Sequence, residues 1–205
     1  GLTAVAEMLQ DAGDEEVGFY TNMIVDIARK LTDEINAQRD LSVAEHGELA
    51  VHPARVDSSE LVLSLVNHAA KGAYADKHIQ IDPYSEFPVV VTDPVLLRRI
   101  INNMLKNALE ASERGETIVV GCLTQEDQAR FWVHNDAVMP PAAKRQVFQR
   151  AFSTKGEGRG LGCYGMKLLG ERYLGGKVDF TSTEDEGTTF ACAIPIGDPE
   201  GLAPA

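Results

Sequence analysis

The sequence predicts an α+β protein: a helical hairpin up to about residue 46, then a larger domain in which strands and helices are interspersed. The hairpin is indicated by apolar residues spaced along one helix face, at Val17, Tyr20, Ile24, Ile27, Leu31 and Ile35. The domain is indicated by two pairs of strand-like segments, ETIVVGCLT with ARFWVHN and GGKVDFTST with GTTFACAIPI. A chain of 205 residues is long enough to bury a core of its own.

The hairpin would join the end of one helix, TAVAEMLQ, to a second helix of about thirty residues. The acidic turn DAGDEE separates them, and carboxylates suit a helix N-terminus. The second helix is predicted to end near His46 and Gly47. Because an apolar stripe needs a partner, we expect the intact protein to form a homodimer through the hairpin.

Within the domain, ELAVHPARV, KHIQIDP and PVVVT are predicted to be strands, and DSSELVLSLVNHAAKGA a helix that begins at Asp57 or Ser58. Asp93 followed by Pro94 predicts the start of the helix VLLRRIINNMLKNALEAS. PAAKRQVFQRAF is predicted to be a short helix, and a further helix is expected from about Tyr164. The predicted units are residues 1–47, 48–197 and a loose tail at 198–205.

Composition excludes some classes of partner. With 19 basic and 31 acidic residues the formal charge is −12, which argues against nucleic-acid binding and against adhesion to an acidic membrane. Any phosphate-binding site must therefore be confined to a small part of the surface rather than spread over a basic face. Cys122, Cys163 and Cys192 have no metal-ligand spacing and fit a reducing compartment. No apolar run approaches the roughly 20 residues that span a bilayer. We expect a cytoplasmic location, in a protein that is itself cytoplasmic or attached to a membrane.

Two asparagines in NNMLKNALEA attract attention because asparagine is a poor helix former. Asn103 and Asn107 are four residues apart and project from one face of the same helix. The opposite face is apolar, with Ile100, Ile101, Met104, Leu105 and Leu109. One interpretation is a solvated polar flank. The other is that the amide oxygens face Mg²⁺ and nucleotide phosphates, since Mg²⁺ takes oxygen ligands and shares them with substrate phosphates.

The second candidate segment is STKGEGRGLGCYGMKLL, in which Gly156, Gly158, Gly160 and Gly162 alternate with other residues. Such a backbone can turn its N–H groups inward around an anion, and the helix that follows adds its positive end. Mobile charge is available from Lys155 and Arg159, and hydroxyl donors from Ser153 and Thr154. The alternative is a flexible surface loop. The pattern is not a Walker-type loop, because no Lys-Ser/Thr pair follows the last glycine.

Together these segments resemble the histidine kinase family of two-component signalling, over roughly residues 48 to 197. NNMLKNALEAS is similar to its asparagine box, GEGRGLG to its second glycine box and EGTTF to its last box. FQRAFSTK is similar to its phenylalanine-containing lid segment, with Phe148 and Phe152. The resemblance implies a two-layer α/β sandwich that binds ATP, the Bergerat-type fold.

The resemblance also implies roles for individual residues. Asn103 would ligate Mg²⁺, and Asn107 and Lys106 would face the phosphates. The β- and γ-phosphates would be held from the glycine loop by Ser153, Thr154, Lys155, Gly158, Arg159, Gly160, Leu161 and Gly162. Thr188 and Thr189 would lie near the adenine end, on a strand at the pocket floor.

One box departs from the family pattern. The family's first glycine box has an aspartate that reads the adenine amino group, but VHNDAVMPP contains no glycine. Strand alternation puts Asn135 at the aspartate position, with Asp136 as the other candidate. A carboxamide oxygen can accept from the adenine amino group while its NH₂ donates to a ring nitrogen. A degenerate, weakly binding domain is the alternative.

The activity implied is that of an ATP-dependent protein histidine kinase, which passes the phosphoryl group to an aspartate on a response regulator receiver domain. None of the five histidines has the family's phosphoacceptor context: His46, His52, His68, His78 and His134. The accepting histidine is therefore expected upstream of residue 1. The main alternative is a non-catalytic phosphotransfer or scaffold protein. An anti-sigma-type serine kinase on the same fold is disfavoured by the helical hairpin.

Overall fold

The computed structural model describes residues 14–70, 76–150 and 161–198. The chain divides into two compact units, Gly1–Leu49 and Ala50–Ala205. In the described parts of the chain, no helix is both long and apolar enough to cross a lipid bilayer. The predicted first helix of the hairpin lies outside the described residues, as does nearly all of the predicted tail.

The first unit contains one long helix, α1 (Asp14–His46), of 33 residues. It ends at Gly47, whose φ of 80° is a conformation that favours glycine. The Gly47 N–H donates to the Ala44 carbonyl and the Glu48 N–H to the Val43 carbonyl, each at 3.1 Å. These two bonds form a Schellman motif. The predicted end of this helix is confirmed.

The second unit is built around a five-stranded sheet with the spatial order β2-β4-β5-β7-β6. The strands are β2 (His78–Ile81), β4 (Thr117–Gln125), β5 (Gln128–Asn135), β7 (Gly187–Pro195) and β6 (Lys177–Thr183). Strand β2 runs parallel to β4, and the other neighbours are antiparallel. A separate antiparallel pair joins β1 (Ala54–Asp57) to β3 (Val89–Thr92).

Helices cover one face of the sheet, which gives the predicted two-layer sandwich. They are α2 (Ser58–Ala70), α3 (Pro94–Ala111) and α5 (Leu161–Lys167). Helix α5 continues as a π-helix over Leu168–Tyr173, and a short helix, α4 (Pro141–Lys144), follows β5. Helix α3 contacts β5 and β7 and also packs against α2 and α5. Its position at the centre of the helical layer places its polar side next to α5.

The start of α3 is fixed by Asp93, which is buried. Its Oδ1 accepts from the backbone N–H groups of Val95 and Leu96 at 2.9 and 3.1 Å, and its Oδ2 accepts from the His52 N–H at 2.8 Å. Pro94 occupies the first turn, where it forfeits no helical hydrogen bond. The predicted cap is confirmed.

The helices pack against one face of the sheet, and side chains on the two faces therefore have different neighbours. Phe131 and Val133 point towards the helices and are fully buried, whereas Trp132 lies on the other face. The Trp132 ring covers Gly121, where an added Cβ would lie 2.4 Å from ring carbons. Only glycine fits beneath this ring.

Two helix predictions need correction. The segment PAAKRQVFQRAF was expected to be helical throughout, but the helix covers only Pro141–Lys144, and the described remainder forms turns that bring Phe148 inward. The helix expected from about Tyr164 begins three residues earlier and widens into a π-helix. There Gly170 packs so closely on the sheet that an added Cβ would lie 2.5 Å from the Val178 side chain.

Candidate functional site

The polar side of α3 carries Asn103 and Asn107, both half-buried. The helix presents its apolar residues to the core, and five of them are almost completely buried: Ile100, Ile101, Met104, Leu105 and Leu109. The amides therefore project from the edge of a rigid, packed helix. This placement agrees with the spacing argument from the sequence.

Both amides face the start of α5, directly after the glycine-rich segment. The Asn107 Nδ2 group donates to Cys163 Sγ at 3.1 Å. A Cβ added at Gly162 would lie 3.7 Å from Asn103 Oδ1. Leu161, the first residue of α5, is half-buried beside them. The structure thus brings together two segments that are more than fifty residues apart in sequence.

The donor set at these amides fits a magnesium–nucleotide complex. Because Asn107 uses its nitrogen to contact sulfur, its oxygen projects from the other side of the amide group. Mg²⁺ requires oxygen ligands and commonly completes its shell with waters and substrate phosphates rather than with a full protein cage. Lys106 is exposed and lies 3.9 Å from Glu110, one turn further along α3.

A second polar group lies at the end of β5. Asn135 is only 3% exposed, and its Nδ2 atom has no hydrogen-bond partner among the described residues. Buried amide nitrogens are nearly always paired in native proteins. In the sheet register Asn135 lies directly opposite Thr188 on β7, so the two side chains share the helix-covered face. This orphaned donor is what a ligand with an acceptor would satisfy.

The backbone around Asn135 is tied firmly to the neighbouring strands. The Thr188 hydroxyl donates to the Ala137 carbonyl at 2.7 Å and contacts Ser182 Oγ at 2.8 Å. The Met139 N–H donates to the same Ser182 oxygen at 2.9 Å. Gly187, with φ 68°, allows a close approach, since a Cβ there would lie 2.4 Å from the Asn135 carbonyl. The segment after β5 is therefore held in place without glycines of its own.

Two predicted site residues lie away from this face. Asp136 is exposed, and its carboxylate lies 3.4 Å from His134 Nε2. The other ring nitrogen of His134 lies 3.0 Å from the Thr189 hydroxyl, on the side of the sheet that faces away from the helices. Because side chains alternate along a strand, Thr189 cannot share the face of Thr188. The expectation that Thr189 lies at the pocket is corrected, and Asn135 is favoured over Asp136.

Phe148 forms part of the wall between the sheet and α5. Its ring makes edge-on contacts with Phe180 and Phe190 at centroid distances of 5.7 and 6.3 Å, and the Lys167 ammonium lies 4.9 Å from the ring centroid. The remaining predicted loop residues lie outside the described residues: Phe152, Ser153, Thr154, Lys155, Gly158, Arg159 and Gly160.

Sequence reasoning did not identify Cys163 or Ser182 as neighbours of the site. Their roles arise from contacts between distant elements, and nothing local in the sequence marks Ser182. The other two thiols, Cys122 and Cys192, are buried, and burial raises the pKa of each to about 12, so they stay protonated and unreactive at neutral pH. Two surface cavities, of about 460 and 290 Å³, are lined by other residues and include none of the three asparagines.

Comparison with known proteins identifies relatives. The circadian input-output histidine kinase CikA of Synechococcus elongatus is 28% identical over 186 residues, which cover 86% of this chain and 24% of that protein. Full-length ShkA in complex with AMPPNP has a TM-score of 0.75 at 21% identity, covering 95% of this chain and 42% of that one. Histidine kinase ThkA in complex with response regulator TrrA has a TM-score of 0.68 at 19% identity, covering 98% and 59%.

At these identities the structural likenesses establish the fold alone. The chain spans about a quarter of the length of the curated relatives it matches first. The family model described as histidine kinase-, DNA gyrase B- and HSP90-like ATPase matches residues 92–198, which contain α3, the glycine-rich segment and the strand that carries Asn135. This chain therefore belongs to the histidine kinase-, DNA gyrase B- and HSP90-like ATPase family.

Proposed function

We propose that residues 48–197 bind ATP with Mg²⁺ and form the catalytic ATP-binding domain of a sensor histidine kinase. The γ-phosphate would pass to a histidine side chain and then to an aspartate on a response regulator. One observation carries this proposal: Asn103 and Asn107, one helical turn apart, face Gly162 and Cys163 at the end of the glycine-rich segment. A docking surface has no need of that arrangement.

We assign each group a role according to where it lies. Asn103 and Asn107 offer amide oxygens to the cation, with Asn103 as the proposed ligand and Lys106 reaching the phosphates from the same helix. Asn135, with Thr188 behind it, would receive the base. Phosphates would be contacted by the loop residues Ser153, Thr154, Lys155, Gly158, Arg159 and Gly160, ahead of Leu161 and Gly162. Phosphoryl transfer asks the protein mainly for positioning and charge stabilisation, which these groups can supply when the metal is bound.

The partners follow from the same assignment. A response regulator receiver domain is the proposed acceptor, supported by the related kinase that was solved with its regulator. A homodimer through the helical hairpin is supported by apolar residues exposed on α1, namely Val17, Val25 and Ile35. A cytoplasmic location is supported by Cys122, Cys163 and Cys192, none of which forms a disulfide.

The rival function is a scaffold whose ATP site has decayed. It is favoured by the segment after β5, which contains no glycines and is held in place by hydrogen bonds from Thr188 and to Ser182. A scaffold would not need to keep an unpaired amide nitrogen at Asn135 beneath the helical layer.

Calorimetric titration of this chain with ATP, with and without Mg²⁺, separates the two functions. We expect Mg²⁺-dependent binding that weakens at least about tenfold in Asn103→Ala and Asn107→Ala, since each loses a contact to the metal or the phosphates. Asn102→Ala is the matched control, because Asn102 is the exposed neighbour on the same helix. Absence of binding at millimolar ATP, or equal affinity in all four proteins, would favour the scaffold.

A further inference from the structure

The side-chain amide of Asn135 is buried, and the described part of the protein does not complete its hydrogen bonds. Its Nδ2 is buried without a hydrogen-bond partner in the described part of the chain. The nearest polar group in the register, the Thr188 hydroxyl, donates its proton to the Ala137 carbonyl and contacts Ser182 instead. Nothing described therefore anchors the amide nitrogen of Asn135.

This matters because a carboxamide is both a donor and an acceptor. A buried N–H without a partner is costly, so the ligand at this position should present an acceptor to it. The carboxamide oxygen sits beside the nitrogen and can accept from a neighbouring donor on the same ligand. The group therefore matches any edge that presents one donor next to one acceptor.

Two kinds of purine present such an edge. A 6-amino purine presents its exocyclic N–H as donor and ring N1 as acceptor, whereas a 6-oxo purine presents O6 as acceptor and N1–H as donor. Rotating the amide by half a turn exchanges the positions of its oxygen and nitrogen. The same side chain can therefore pair with either the 6-amino or the 6-oxo edge. No described hydrogen bond to Nδ2 opposes that rotation.

We propose that Asn135 makes this site accept both 6-amino and 6-oxo purine nucleoside triphosphates, because its amide can pair with both the donor and the acceptor of either edge. The proposal rests on the proposed nucleotide-binding function and specifies its substrate class. An ionised carboxylate can only accept, so it could pair with only one of the two groups on either edge.

The test compares the dissociation constants of Mg·ATP and Mg·ITP by calorimetry, because ITP presents the 6-oxo edge without the 2-amino group of guanine. For the unmodified chain we expect ITP to bind within about fivefold of ATP. In Asn135→Ala both nucleotides should bind at least about tenfold more weakly and by a similar factor, because the variant loses the donor and the acceptor that pair with either edge. Asp136→Asn is the matched control, since Asp136 is exposed and faces His134. It should leave both dissociation constants unchanged.

The outcomes are distinguishable. If the unmodified chain binds ATP but discriminates against ITP by more than about fiftyfold, this inference is wrong while the proposed function stands. If the unmodified chain binds neither nucleotide, the proposed function is wrong, and the inference that rests on it is wrong as well. Because the decisive comparison uses the unmodified chain, poor folding of Asn135→Ala would not rescue the inference.

Discussion

The amide nitrogen of Asn107 lies 3.1 Å from the sulfur of Cys163 and donates a hydrogen bond to it. This bond links the C-terminal third of α3 to the first turn of α5, next to Gly162 of the glycine-rich segment. An N–H···S hydrogen bond is weak, but it sets the orientation of the Asn107 amide: the nitrogen faces the sulfur and the oxygen faces away from it. Cys163 is therefore a reporter for the proposed phosphate side of the site.

We expect Mg·ATP to slow the reaction of Cys163 with iodoacetamide by at least about fivefold, because bound phosphates would cover the adjacent amides. Mass spectrometry of tryptic peptides, with and without nucleotide, measures this. Cys122 and Cys192 serve as internal controls: both are buried with a pKa raised to about 12, so they should stay unlabelled until the protein unfolds. Equal labelling of Cys163 in both conditions would place the nucleotide elsewhere.

Gly121→Ala should destabilise the domain by about 1–3 kcal/mol, since the new Cβ would overlap the Trp132 ring and displace it. Trp132 is the single tryptophan of the chain, so a shift in emission maximum reports the displacement directly. Denaturant unfolding gives the loss of stability.

The matched control for that change is Gly18→Ala, near the N-terminal end of α1, where an added Cβ meets nothing within 4 Å. It should stabilise the helix by roughly 0.5–1 kcal/mol, because alanine loses less backbone entropy than glycine. Unchanged tryptophan emission in Gly121→Ala would contradict the packing described.

Asp93→Ala should lower the free energy of unfolding by about 2 kcal/mol or more. The change leaves three backbone N–H groups without their acceptor, two in the first turn of α3 and one at His52. Asp57→Ala is the comparison, since Asp57 caps α2 through Ser59 and Glu60 at the surface and should cost about 0.5–1 kcal/mol. Equal costs for the two caps would mean that burial adds nothing at Asp93.

Stability should fall as the pH rises from 9 towards 12. Burial raises the pKa of the Cys122 and Cys192 thiols from 9.0 to about 12, so above pH 9 the unfolded chain releases protons that the folded chain retains. Each thiol contributes a slope of up to roughly 1.4 kcal/mol per pH unit in that window. Denaturation of the Cys122→Ala/Cys192→Ala variant at pH 8 and 10 should show a smaller decrease than the parent. Parallel decreases would show that other groups are responsible.

The elements set by local chemistry could be predicted from the sequence. Asp93 and Pro94 determine the start of α3 within one turn, and Gly47 ends α1, because caps and glycine conformations depend on near neighbours. The pairing of Asn103 with Asn107 follows from helix geometry alone. The family prediction is confirmed, because its motifs combine these local features in a fixed order.

Features that depend on tertiary packing could not be predicted. The helix expected around Phe148 stops early because its ring is drawn to Phe180 and Phe190, which lie more than thirty residues later. Which of Thr188 and Thr189 shares a face with Asn135 depends on the register of β7 against β5, which the sequence does not give. The parallel pairing of β2 with β4 is likewise a property of the assembled sheet.

The register that sets Asn135 opposite Thr188 has a consequence for engineering. In the proposed site the base is read from a rigid strand, whereas the phosphates are contacted by a helix edge and by a loop in other parts of the chain. A substitution on that strand should then change which base is bound without altering the groups proposed to contact the phosphates.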